Sequence, residues 1–278
     1  MNFNSIVKHI ESLPALSDTT QIVRRLYQDG GENVDVNKLI IAIENDALLT
    51  ANILKMINAP FYGLSKQISS VSQAVTLFGT QLIYGLVVRY SIESLVIANL
   101  RPYCITNSKF NDICQMQSAL VYQWYAQIDV KNAQYLAPLA LIMESGKLVV
   151  SQEIVKKSNI KEFNKGIKEA EEIKEYEDSV FGTSSYYVSG LLFEHWNLDA
   201  NYVNLLKGLD YEYDGASKIA YFVDILDIVK TAVNVKNIFT QKSISDAAEI
   251  VADIGLNVDD FMEVCEHIHQ NYLQSQHS

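Results

Sequence analysis

With 278 residues, 49% of them hydrophobic and 20% charged, the chain can bury a substantial core as one large domain or two small ones. A formal charge of −11 argues against nucleic acid and anionic lipid as partners, because tracking phosphates requires clustered Lys and Arg. Only 12 Gly and 4 Pro exclude the turn-rich grammar of an all-β fold, and three cysteines without a CxxC pair (Cys104, Cys114 and Cys265) imply free thiols in a reducing compartment.

Apolar residues recur at helical spacing along the chain, which predicts an all-α protein. The opening MNFNSIVKHI lacks the basic and apolar regions of a signal peptide and starts a helix over 3–12. Helices over 18–29, 36–45 and 48–58 follow, with Gly30-Gly31 as a break. Asn58, Ala59, Pro60, Phe61, Tyr62 and Gly63 then form a loop that cannot continue a helix. Pro60 removes an amide donor, and Gly63 permits φ > 0. Ser69 and Ser70 offer N-caps for a helix over 71–78, and another runs over 80–99. The apolar stretch Leu82 to Leu100 is interrupted by Arg89 and Glu93, so no membrane insertion is expected and the protein is read as soluble and cytoplasmic.

Arg101-Pro102 stops that helix, and the remaining helices are expected over 109–127, 133–156, 162–179, 184–195, 199–208, 215–232, 244–253 and 257–274. The mixed-sign run Lys156 to Asp178 reads as a solvated helix supported by i,i+4 pairs. His267 and His269, two apart, point to different helix faces, unlike the i,i+4 pair of a zinc helix. His9, His195 and His277 read as packed or solvated. Gly146-Lys147 lacks the upstream glycine and following Ser/Thr of a phosphate loop. Tyr186-Tyr187 and Tyr211/Tyr213 are aromatic clusters that could anchor an interface, although burial is the commoner role of such rings.

The order of Leu13-Pro14, Asp46 with Leu49, Asn58 with Tyr62-Gly63, Ile68-Ser69-Ser70, and Ala74 with Phe78-Gly79 resembles the HDOD family, the HD-related output domain of bacterial signalling proteins. The resemblance implies a multi-helix bundle in which an N-terminal sub-bundle packs on an HD-like helical sub-domain. It places an HDOD domain over 6–209, with sub-bundles about 6–100 and 108–209, and a helical extension over 210–278 packing on the HD-like part. Asn58, Pro60, Tyr62, Gly63, Ser69 and Ser70 form the signature loop, to which we assign a structural role.

HDOD domains are related to HD-type phosphohydrolases, in which histidines and aspartates hold divalent ions that activate water. By that resemblance PLALIMESGKLV places Met143 and Glu144 where the tandem His-Asp would stand, with Gly146 retained. Counting along Phe181-Gly182, Val188, Leu191, Leu192 and Trp196 puts Ser185 at a histidine position. Leu209 and Asp210 stand where paired histidines would be, Gln117 takes another histidine position, and Asp224 retains an acidic one. A thioether is a poor ligand for a hard cation, so no metal, cofactor or catalytic residue is expected. The chain is therefore read as a non-catalytic regulatory module that binds a protein partner or relays a small-molecule signal. The alternative is a residual phosphohydrolase or phosphodiesterase, or a nucleotide-sensing domain, using Glu144, Asp210 and Asp224, with Lys147 or Arg89 turned inward to meet a phosphate.

Overall fold

A computed structural model describes residues 2–30, 33–211 and 217–276. Gly31, Tyr213 and His277 lie outside the described residues, as do the first two positions of the helix expected over 215–232. The architecture is all-α, and among the described residues the only β pairing is an isolated bridge between Val233 and Ile238. The first helices are α1 (Phe3–Glu11), α2 (Asp18–Gly30), α3 (Val36–Glu44), α4 (Ala47–Ile57) and α5 (Val71–Leu95). The middle of the chain forms α6 (Asn107–Gln123), α7 (Val130–Ile142), α8 (Gly146–Lys156), α9 (Ile160–Glu169), α10 (Ile173–Phe181) and α11 (Ser185–His195). Then come α12 (Ala200–Gly208), α13 (Lys218–Ala232), α14 (Gln241–Asp253) and α15 (Val258–Ser275).

Side-chain caps set many of these starts. Asp46, Ser70, Thr106, Asp129, Ser184, Asp199 and Ser217 each accept a hydrogen bond from a first-turn amide. α5 is long and apolar enough to cross a membrane by length and composition, yet it is mostly buried within the protein, and its backbone breaks at Gly79, where φ is 77°. That break matches the division expected between 71–78 and 80–99.

Two expected helices are divided. The span 133–156 is interrupted by a 3-10 turn over Met143–Ser145, which separates α7 from α8. Ser189 splices this break from α11, because its hydroxyl donates to the Met143 carbonyl at 2.7 Å and accepts from the Gly146 amide at 2.7 Å. The span 162–179 ends early at Ala170, whose extended backbone separates α9 from α10.

A second 3-10 turn, Pro60–Tyr62, is followed by Gly63 in the left-handed region at φ 63°. Asn58 ties this loop down. Its Oδ1 accepts from the Ile68 amide at 2.8 Å, and its Nδ2 donates to the Ile68 carbonyl at 2.8 Å. Ser70 accepts from the Gln73 amide, while the Gln73 side chain accepts from the Ser69 amide at 2.9 Å. Tyr62 is buried and donates to Ser118 Oγ at 3.2 Å. Only the backbone penalises a larger residue at 63, since the nearest atom to a Cβ there would be His267 Nε2 at an ordinary 3.5 Å. Gly63→Val is expected to lower stability by about 1–3 kcal/mol. An unchanged melting temperature would remove the left-handed backbone from the explanation.

One continuous core runs through the molecule, from Ile6 and Val23 through Ile83 and Leu139 to Ile225 and Phe261. Elements far apart in sequence cross between its ends. α1 packs on α8 and α11, whereas α15 packs on the Pro60–Tyr62 turn and on α6. The carbonyls of Leu13 and Pro14 face His195 Nε2 and Trp196 Nε1 at 3.3 and 2.9 Å, which fixes the α1–α2 connection over the end of α11. The C-terminal helix α15 thus reaches the signature loop as well as α6.

Candidate functional site

Of the residues expected at HD-type ligand positions, Gln117 on α6, Glu144 in the Met143–Ser145 turn and Ser185 on α11 meet. Gln117 Nε2 donates to Glu144 Oε1 at 2.9 Å. Between Glu144 and Ser185 lies the ammonium of Lys147, 2.6 Å from Glu144 Oε2 and 2.8 Å from Ser185 Oγ. All four side chains are fully buried. Lys147 sits three residues after Glu144, on the same face where the turn passes into α8.

A second carboxylate closes the cluster. Glu177 of α10 is fully buried, with Oε1 3.9 Å from Lys147 Nζ. It accepts from the Tyr103 hydroxyl at 2.7 Å and from the Ser185 amide at 2.7 Å. Tyr186 donates to Glu144 Oε1 at 3.2 Å, and its ring lies 4.4 Å from Lys147 Nζ. Burial alone would push the ammonium pKa down, but the charges of Glu144 and Glu177 outweigh it and hold the group above its ordinary value. Burial, reinforced by the two carboxylates, holds the Tyr103 and Tyr186 phenols well above their usual range, so both remain neutral donors.

The packing that brings α8 onto α11 depends on Gly146, because a Cβ there would stand 1.9 Å from the Ser185 carbonyl oxygen and 2.7 Å from the Ser189 amide nitrogen. Next to this centre, Arg89 is also buried. It pairs with Glu93 at 2.6 Å, donates to Asn111 Oδ1 at 2.8 Å and lies 4.9 Å from the Phe110 ring centroid. Burial raises the Cys114 thiol to about 12, so it stays protonated.

The other expected positions do not join. Met143 is buried, and its carbonyl accepts from Ser189. Leu209 is a core side chain. Asp210 accepts from the Ser184 hydroxyl and, at 3.3 Å, from the Ser184 amide, beside a surface cleft with Lys174 and Tyr211. Its carboxyl pKa is raised by burial. Asp224 is half-buried on α13 and raised by burial and by Asp227. Asp227, one turn on, is the carboxylate of α13 whose charge reaches Tyr186, and it pairs with Lys230 at 2.8 Å. Among the described residues no group of three His, Cys, Asp or Glu side chains is arranged to hold a metal ion, so Glu144, Asp210 and Asp224 do not form the shared carboxylate site of the alternative reading.

The residues present do not suit a divalent ion, since a cationic side chain, Lys147, stands among the oxygen donors of Glu144, Glu177 and Ser185.

Sequence reading missed Glu177 and Tyr103; for Tyr186 it held burial commoner than an interface role, and the residue is buried in this cluster. Glu177 was absorbed into a run judged to be solvated. The signal against that was its spacing, since Ile173, Glu177 and Phe181 follow one another at i+4 and are all buried. The described histidines lie elsewhere. His9 Nδ1 is 3.0 Å from Glu153 Oε1, His267 contacts Asn271 at 3.1 Å, and His269 packs near Phe239.

The HDOD domain family matches residues 13–208, and the chain belongs to that family. No curated protein matches it. Among solved structures, it resembles a Shewanella amazonensis protein provisionally described as a phosphohydrolase, with 14% identity, a TM-score of 0.71 and coverage of 96% of this chain and 95% of that one. It also resembles an HDOD domain protein from Geobacter sulfurreducens, with 14% identity, a TM-score of 0.63 and coverage of 98% and 96%. A virulence factor from Campylobacter jejuni gives 20% identity, a TM-score of 0.57 and 96% coverage of both chains. At these identities the likeness establishes the fold alone.

Proposed function

We propose that the protein is a non-catalytic regulatory module of a signalling pathway, acting by binding a protein partner or relaying a small-molecule signal. The observation that carries this reading is Lys147, whose ammonium lies between Glu144 and Ser185 at 2.6 and 2.8 Å. A tethered cation neutralises the buried carboxylates without bringing water that can be activated, so the centre acts as a structural ion cluster. Family membership supports the signalling context, in keeping with the role of HDOD domains as outputs of bacterial signalling proteins.

The test is turnover. With Mg²⁺ or Mn²⁺ supplied, hydrolysis of nucleoside mono-, di- and triphosphates, (p)ppGpp, cyclic mononucleotides and cyclic dinucleotides is expected to stay at the buffer background. Elemental analysis of protein purified without added metal or a metal-binding tag is expected to find no stoichiometric transition metal. A metal-dependent hydrolysis that copurifies with the protein and disappears in a folded Glu144→Ala variant would establish the residual phosphohydrolase instead.

A further inference from the structure

The largest concentration of unabsorbed polar chemistry lies apart from the Lys147 cluster, in a cavity of about 660 Å³ where α2, α5, α7, α12 and α13 meet. That volume falls within the range of roughly 300–1,000 Å³ typical of small-molecule sites. Its charge runs against that of the protein. In a chain of net charge −11, the cavity gathers Arg24 and Lys218 against a single carboxylate, Asp199. Asp199 is already committed, accepting from the amides of Asn201 and Tyr202 at 2.8 and 3.4 Å as the cap of α12.

Arg24 gives one N–H to the Trp196 carbonyl at 2.7 Å, while its Nε is buried and has no hydrogen-bond partner. A buried donor without an acceptor is unfavourable unless something outside the chain supplies one. Four rings from four helices share the lining. Tyr27 and Tyr84 have centroids 4.5 Å apart, and Tyr135 and Phe222 have centroids 5.8 Å apart. The lining also carries amides, among them Gln81, Gln134 and Asn204, whose side chains pair a donor with an acceptor as the edge of a heterocycle does.

Cations, aromatic faces and amide edges together describe a planar heteroaromatic ligand that carries an anionic group. We propose that this cavity binds a mononucleotide, with the base held by the rings and amides and the phosphate by Arg24 and Lys218. The cavity joins α2 and α5 to α12 and α13, so a bound ligand stabilises their native arrangement. No step of the proposal depends on whether the Lys147 cluster is inert, and binding here needs no turnover.

Isothermal titration calorimetry of the full chain with AMP, GMP, CMP and UMP tests it, with adenosine and ribose 5-phosphate as the two halves of a ligand. Saturable binding of at least one mononucleotide is expected, with each half weaker by tenfold or more. Lys218→Glu, at an exposed position, is expected to weaken binding by tenfold or more, and Asn204→Trp, which fills the cavity, to abolish it. Lys165→Glu makes the same charge change on α9, away from the cavity, and serves as the control. The proposal is overturned by any of three results: no mononucleotide binds, ribose 5-phosphate binds as tightly as the nucleotide, or Lys218→Glu and Lys165→Glu weaken binding equally.

Discussion

Replacing Lys147 with methionine is expected to remove about 3–5 kcal/mol of folding stability, the range for breaking a buried ion pair from one side. The volume change is small, but Glu144 and Glu177 are left as neighbouring buried carboxylates with no cation between them. Urea unfolding followed by circular dichroism should show a lower midpoint with a preserved slope, the signature of lost stability without a change in the surface exposed. Adding Glu144→Gln to Lys147→Met should recover part of the loss, because the second change removes one of the stranded charges. If the single variant costs less than about 1 kcal/mol, the range of a solvent-exposed pair, the cluster is hydrated and Lys147 does not neutralise it.

Gly146→Ala separates two rules that predict opposite signs. Helix propensity alone predicts that alanine stabilises by about 1 kcal/mol, since Gly146 opens α8. Packing predicts the reverse. The new Cβ would meet backbone atoms of α11 at 1.9 and 2.7 Å, and neither can rotate away as a side-chain tip could. α8 and α11 must therefore move apart, with an expected loss of about 1–3 kcal/mol or more. Thermal melts decide between the rules, and a raised melting temperature would show that the helices are not held in this contact.

Much of the fold was legible because it was written locally. Ser70 caps the helix that follows it, Gly63 adopts the left-handed turn its loop demanded, and Gly79 breaks α5 where the apolar pattern paused. The division of 133–156 was not legible, since Pro138 lies within a regular helix while the break comes later and is held by Ser189 from another element. The candidate site was half legible. Resemblance pointed to Gln117, Glu144 and Ser185, which do meet, and to Leu209, Asp210 and Asp224, which do not join them. Lys147 was visible as a charge in the apolar run PLALIMESGKLVV, but its depth depends on α10 and α11 closing over it. The cavity at the meeting of five helices left no trace in the sequence, because its lining comes from short, unrelated segments.

The return of α15 to the signature loop has a consequence for the order in which the chain folds. Phe61 and Tyr272, with ring centroids 6.1 Å apart, are far apart in the sequence. During synthesis the Pro60–Tyr62 turn emerges early and must keep its outer face uncovered until α15 leaves the ribosome. Such long-range closures are slow, since the loop-closure entropy must be met before the contact forms. Until then Phe61, only 2% exposed in the finished protein, is an apolar surface that a chaperone or a second nascent chain can reach.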